Sequence, residues 1–279
     1  MSYNVVLVYV DGSDQSEATI TVAASIAAVH QARLSALAVS KLQEMLVNAP
    51  TRLTSADTGI APYTAHAREH SAQSFHQLDR ITHQFKLAGV QKIWIDGDVH
   101  DSICDRAKFS DLLVVNLKRD ESSQGDRVDP ARIVTHCGVP VIFVPSPVRP
   151  IGKLGKVLIG WDASVGATRA LHSAMPLLKY ATNVHVATIV PGKPLQQGEE
   201  TQLVGPVVDF LNEHGIAAQA IVRNAEDSVG RTLLSLAEQM QADLLVMGSY
   251  GKSPVYEMLF GSVTRAVLAE AKLPVLMAY

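Results

Sequence analysis

The chain has 279 residues, about twice an ordinary domain of ~100–150, and its 47% hydrophobic against 18% charged residues can build two buried cores. A net charge of −3, a pI near 6.4 and no Lys/Arg run exclude nucleic acid as the main partner, because neutralising phosphates needs a basic face. No apolar stretch reaches the ~18 residues of a membrane span, no secretory leader follows Met1, and Cys104 and Cys137 form no CxxC or disulfide framework, so the expected location is cytoplasmic.

In chain order, the first run is VVLVYVDGSD over residues 5–14, a β-branched segment that ends in Asp11 and leads through small residues into a helical pattern. A polar stretch around residues 41–70 follows and reads as an insertion. Within it, His66-Ala-Arg-Glu69-His70 has the H-x-x-E-H order in which two histidines one turn apart bind zinc. No third ligand is in view, and the plain reading is a solvent-facing helix. His76, His83 and His100 make no catalytic pattern. Asp96, Asp98 and Asp101 form an acidic loop whose expected use is turn and capping chemistry. DLLVV from Asp111 and GVPVIFV from Gly138 close the first half. PSPVRPIGKLGK over 145–156 reads as a linker, dividing the chain into domains 1–150 and 151–279.

In the second half, strands are expected near 156–161, 183–190, 217–222, 243–248 and 274–279, and helices near 165–181, 199–214, 228–241 and 262–271. Val229, Leu233, Leu236 and Met240 recur at helical spacing. Runs such as LLVMG lack a period of two, which suits strands covered on both faces by crossover helices. The halves repeat each other. VLIGWDAS at 157–164 answers the opening run, Asp227-Ser228-Val229 answers Asp101-Ser102-Ile103, DLLVM from Asp243 answers DLLVV, and KLPVLMA from Lys272 answers GVPVIFV, all in the same order. The spacing from Asp101 to Asp111 is shorter than that from Asp227 to Asp243, which predicts a shortened helix in the first copy.

Ligands of parallel α/β sheets sit beyond the carboxyl ends of strands. Asp162 ends the first strand of the second half, where a carboxylate can bond ribose hydroxyls or a base amino group. Met247-Gly248 ends the fourth strand; Gly251 follows, and Gly261-Ser262-Val263-Thr264 opens the last helix. Glycine permits close approach of backbone to a phosphate, and a helix start aims free N–H groups at an anion. Ser262 and Thr264 add hydroxyl donors, and Lys252 and Arg265 are nearby cations.

The spacing Gly248-x2-Gly251-x9-Gly261-Ser262, with Asp162 on the first strand, resembles the ATP-binding pattern of the universal stress protein family, and the likeness extends over both halves. The resemblance implies two tandem Rossmann-like units of the adenine nucleotide alpha hydrolase type, each a five-stranded, mostly parallel sheet with flanking helices. It implies ATP with Mg or Mn, adenine near Gly160, Trp161, Ile189 and Val190, ribose at Asp162 and Gly248, and phosphates at Gly251, Gly261, Ser262 and Val263. It further implies an intramolecular pseudo-dimer through strands 139–144 and 274–279, with a homodimer of whole chains left open.

The first half departs from this pattern. Asn116 stands opposite Gly248, the following Leu117-Lys118-Arg119 has no glycine where Gly251 should be, and counting back from the shared Pro-Val places Arg127-Val128 opposite Gly261-Ser262. No nucleotide is expected there. No acid/base pair or activated nucleophile is visible, so the expected function is a regulatory ATP-binding protein with slow hydrolysis at most and an unidentified protein partner. A scaffold that binds no nucleotide and a metal-dependent hydrolase using the histidine-bearing insertion are the alternatives.

Overall fold

The computed structural model describes residues 2–40, 60–117, 128–146, 155–192, 199–249 and 261–279. Gly251 and Lys252, the first part of the insertion (41–59) and most of the linker (147–154) lie outside the described residues. Two compact units emerge, one over Tyr3–Val139 and one built on Pro140–Tyr279.

In the first unit the β-branched runs become strands β1 (Val5–Tyr9), β2 (Arg33–Ser40), β3 (Gln91–Asp96) and β4 (Leu112–Leu117). Helices α1 (Ser16–His30), α2 (Ile60–Gln84), α3 (Val99–Ala107) and α4 (Pro130–His136) connect and follow them. The strand order is β3-β2-β1-β4, and the pairs are parallel. Every residue of β4 is buried, as a strand covered on both faces requires, whereas the outer strand β3 leaves Lys92 and Trp94 exposed. Helix α2 begins within the insertion and sets positions 66 and 70 one turn apart; the side chains of His66 and His70 lie outside the described ones. Among the described residues no group of three or more His, Cys, Asp or Glu stands together to hold a metal. No described helix is long and apolar enough to cross a membrane.

The second unit carries β5 (Val141–Pro145), β6 (Lys156–Gly160), β7 (Asn183–Val190), β8 (Ala218–Asn224), β9 (Leu244–Gly248) and β10 (Val275–Ala278). Its helices are α5 (Val165–Leu178), α6 (Glu199–Glu213), α7 (Val229–Gln239) and α8 (Ser262–Glu270). The order is β5-β10-β9-β6-β7-β8, parallel from β10 to β8, while β5 runs antiparallel to β10 with Ile142 opposite Leu276. The last strand of the first repeat thus pairs with the last strand of the second.

The acidic loop is used for capping. Asp98 is the N-cap of α3 and accepts from Asp101 N at 2.9 Å, and this N–H, ahead of the Arg132 and His100 charges, holds the Asp98 carboxyl below its usual range. Asp96 accepts from Ser40 Oγ at 2.8 Å. Both cysteines are buried free thiols; burial pushes Cys104 up to about 11 and raises Cys137, so neither is poised as a thiolate.

Two details differ from the sequence reading. The N-caps of α3 and α7 are Asp98 and Ser228, so Asp101, in the first turn of α3, does not correspond to Asp227, which precedes the cap of α7. Helix α7 also stops at Gln239, short of the expected 241, because Gln241 takes a left-handed φ of 53° that no helix can continue.

Candidate functional site

In the second unit the strand order reverses between β6 and β9, and their carboxyl ends lie side by side: Gly160 is in register with Met247 on one side and with Ala187 of β7 on the other. An open crevice is expected at such a point. A cavity of about 250 Å³ occupies it. Its floor is Gly160, Ala187, Met247 and Gly248; Ile189 and Trp161 form one wall, Val229 and Leu233 of α7 another, and Gly261 to Thr264 the roof.

Close contacts require glycine at one position of the cavity floor. A Cβ on Gly248 would lie 2.5 Å from Ala167 N and 2.5 Å from the Gly166 carbonyl carbon, so the first turn of α5 can lean on the end of β9 only if residue 248 has no side chain. A Cβ on Gly160 would meet the tip of Leu233, Cδ2 at 2.9 Å, a contact that a turn of the leucine side chain relieves.

Asp162 stands at the mouth of the cavity on the turn from β6 into α5. Its Oδ1 accepts from Ser164 N at 3.0 Å, while Ala163 between them sits at φ 58°. The side chain is exposed, and it is the one ionisable group lining the cavity among the described residues. Ser164 caps α5, its Oγ accepting from Ala167 N at 3.1 Å.

The roof is the start of α8. Gly261 is its N-cap, extended at φ −60° and ψ 155°, and supplies no side-chain cap. The first intrahelical bond is Arg265 N to Gly261 O at 3.1 Å, so the N–H groups of Ser262, Val263 and Thr264 have no carbonyl within the helix to bond. These residues line the cavity, so the positive end of the helix faces into it.

The first unit has the same turn and strand ends with different contents. Asp11 accepts from Ser13 N at 3.1 Å across Gly12 (φ 69°), repeating the Asp162 turn. Here, however, the aspartate is buried and also accepts from Ser13 Oγ, Ser16 Oγ and, at 2.9 Å, Asn116 Nδ2. At the start of α4 the N-cap is Asp129, whose carboxylate accepts from Ala131 N at 3.0 Å, while its own N–H donates to His100 Nε2 at 2.8 Å. The residue opposite Gly261 is therefore Asp129. Counting from the Pro-Val pair pointed to Arg127 because α4 is two residues shorter than α8 (7 against 9).

Of the residues singled out by sequence, Gly160, Trp161, Asp162, Ile189, Met247, Gly248, Gly261, Ser262, Val263 and Thr264 meet around one cavity. Val190 is not among its walls; its carbonyl accepts from Ala225 N at 2.8 Å. Thr264 corrects the expectation of a second free hydroxyl. It is buried and donates to Ser249 O at 2.9 Å, fixing the chain that leaves β9. Ser164, Ala187, Val229 and Leu233 were missed as lining residues. Ala187 lies two positions before Ile189 on the same strand face, and Leu233 belongs to the apolar stripe of α7, so periodicity carried both signals.

Comparison with known protein families matches residues 153–278 to the universal stress protein family. The universal stress protein Slr1230 of Synechocystis sp. is 26% identical over 200 residues, covering 69% of this chain and 66% of that relative's length. Among solved structures, a universal stress protein from Archaeoglobus fulgidus superimposes with a TM-score of 0.72 at 17% identity, covering 99% of this chain and 96% of that one. A putative universal stress protein from Pseudomonas aeruginosa gives a TM-score of 0.62 at 17% identity, covering 98% and 92%. At such identity these structures speak for the fold, which they share from end to end. The match to the universal stress protein family thus lies in the second half of the chain, over residues 153–278.

Proposed function

We propose that the chain is a regulatory adenine-nucleotide-binding protein with its site in the second unit, ATP accompanied by Mg or Mn being the ligand that the glycine spacing favours. The observation that carries this reading is the cavity at the β6/β9 switch point, roofed by a helix start that has no side-chain cap. The apolar walls from Trp161, Ile189 and Leu233 suit a base, and Asp162 at the mouth suits ribose hydroxyls. Uncapped N–H groups suit a phosphate, an attraction worth about 0.3–1 kcal/mol when exposed and up to ~2 when partly buried. In the first unit Asp129 places a carboxylate at the corresponding helix start, and Asn116 occupies Asp11, which supports binding in the second unit only.

The test imports the first unit's cap into the second. Gly261 has an ordinary φ of −60° and open space around its Cβ direction, so Gly261→Asp fits without strain. An N-cap aspartate in place of glycine should stabilise α8 by only about a few tenths of a kcal/mol while repelling the phosphates. Thermal melting should then rise slightly and ATP affinity should fall at least about tenfold, the equivalent of ~1.4 kcal/mol. Titration of a Trp94→Phe background, in which Trp161 is the sole indole, follows binding by fluorescence. Absence of saturable ATP binding by the unmodified chain, or equal affinity in Gly261→Asp, overturns the reading and favours a scaffold.

A further inference from the structure

Three of the buried side-chain atoms without partners belong to the switch point of the first unit, between β1 and β4, and to the start of α1, which packs on both strands. Asp11 is bonded there to Ser13, Ser16 and Asn116. Asn116 is 3% exposed and donates its Nδ2 to the Asp11 carboxylate at 2.9 Å. That bond fixes the orientation of the amide, since the flipped form would set two acceptors against each other. Asn116 Oδ1 is thereby turned away from Asp11 and has no partner. Gln15 Oε1 and Thr19 Oγ1 are buried without partners as well, and Thr19 is fully buried. Both belong to the start of α1. Gln15 adjoins Ser16, which bonds Asp11, and Thr19 lies one turn beyond Gln15, four positions along the same helix face. α1 packs against both β1 and β4.

Native structures pair nearly all such atoms, and each orphan costs about 1–3 kcal/mol. The three atoms cannot satisfy one another fully. Gln15 Oε1 and Asn116 Oδ1 are carbonyl oxygens that only accept, and the Thr19 hydroxyl has one proton to give. What is missing is two donated hydrogen bonds and one acceptor, which is the complement of a single water molecule; a monovalent cation supplies the same electropositive contact to the oxygens. The Asp11 carboxylate beside them disfavours an anion, and the polar lining disfavours an apolar guest.

We infer that the first unit encloses one water-sized, electropositive guest, water or a monovalent cation, held by Gln15 Oε1, Thr19 Oγ1 and Asn116 Oδ1 next to Asp11. This site is independent of nucleotide binding in the second unit. It fills the switch point where the other repeat keeps its cavity, so the first repeat carries a permanent small occupant.

Crystals of the full chain, at a resolution that shows ordered water, should contain a density peak within ~2.7–3.2 Å of the three oxygens. An anomalous peak there after growth in rubidium chloride identifies the cation, and density without anomalous signal identifies water. An empty position overturns the inference. In solution, the isosteric pair Gln15→Met and Thr19→Val spares every bond to Asp11. Each alone should lower the melting temperature, and the double variant should lose clearly less than the two shifts added, because both act through one guest. Additive shifts would speak against a shared occupant and overturn it.

Discussion

Asp11 and Asp162 sit on the same turn with opposite surroundings. Each accepts from the N–H two residues on, across a residue held at positive φ, yet one is buried under three other donors and the other faces an open crevice. The difference lies in the neighbours: Asn116 stands across the switch point in one repeat and Gly248 in the other, and Ser16 offers a hydroxyl where the second repeat has Ala167. The turn itself is paid for unequally: Gly12 adopts φ 69° without strain, whereas Ala163 holds φ 58° with a Cβ, a conformation costing roughly 1–2 kcal/mol. Ala163→Gly should therefore raise stability by about 0.5–1 kcal/mol after the entropy of glycine is counted. Chemical denaturation reads that gain; an unchanged or lower midpoint would show that neighbours offset the strain at Ala163.

At the level of elements, each repeat clamps the entry of its first strand with the aspartate before its fourth. Asp111 Oδ2 accepts from Asn4 N and Val5 N at 2.7 and 2.9 Å, and Asp243 Oδ2 from Gly155 N and Lys156 N at 2.8 Å each. The same clamp explains why the DLLVV and DLLVM runs were readable as repeat anchors. The far end of α1 carries a pH-sensitive contact. His30 Nδ1 accepts from Tyr3 N at 3.4 Å, their rings lie 5.0 Å apart, and burial lowers the His30 pKa below its usual 6.5. A histidine with a depressed folded pKa takes up protons more readily when unfolded. Its penalty is absent well above pH 6.5 and grows as pH falls from there through the folded pKa. His30→Leu should flatten the decline of stability between about pH 7 and 5 relative to the unmodified chain; parallel slopes would show that other groups govern it.

Strand runs and helix faces were legible because both units follow the doubly wound pattern, in which apolar content alone marks a covered strand. Helix ends were less so, since left-handed stops at Gln31 and Gln241 use residues with no turn signature. That Gly160, Asp162, Gly248 and Gly261 meet around one cavity was legible because spacing and strand ends coincide; Gly251 lies outside the described residues. That Thr264 spends its hydroxyl on Ser249, and that Asp129 rather than Arg127 faces the first unit's helix start, depend on rotamers and helix length, which spacing does not encode.

Across the whole molecule, duplication has left two copies of one frame with different contents at the switch point. One has Asn116 bonded to Asp11, with Asp129 capping the helix that follows; the other is open. Saturating titration of the intact chain should accordingly give one ATP per chain rather than two, measured calorimetrically. Nucleotide at ~100 times its dissociation constant should add about 2.7 kcal/mol to the unfolding free energy of the unit that binds it. A stoichiometry of two would mean that the filled switch point opens.

Ser249 ties the exit of β9 to the end of β10: its N–H and its Oγ both reach Ala278 O, at 3.2 and 2.8 Å, and its own carbonyl receives Thr264. With the residue wholly shielded from solvent, its amide proton can trade for deuterium only when that junction parts. Exchange at this one backbone position would act as a label-free gauge of how often the cavity's outer seam works loose, with and without ligand.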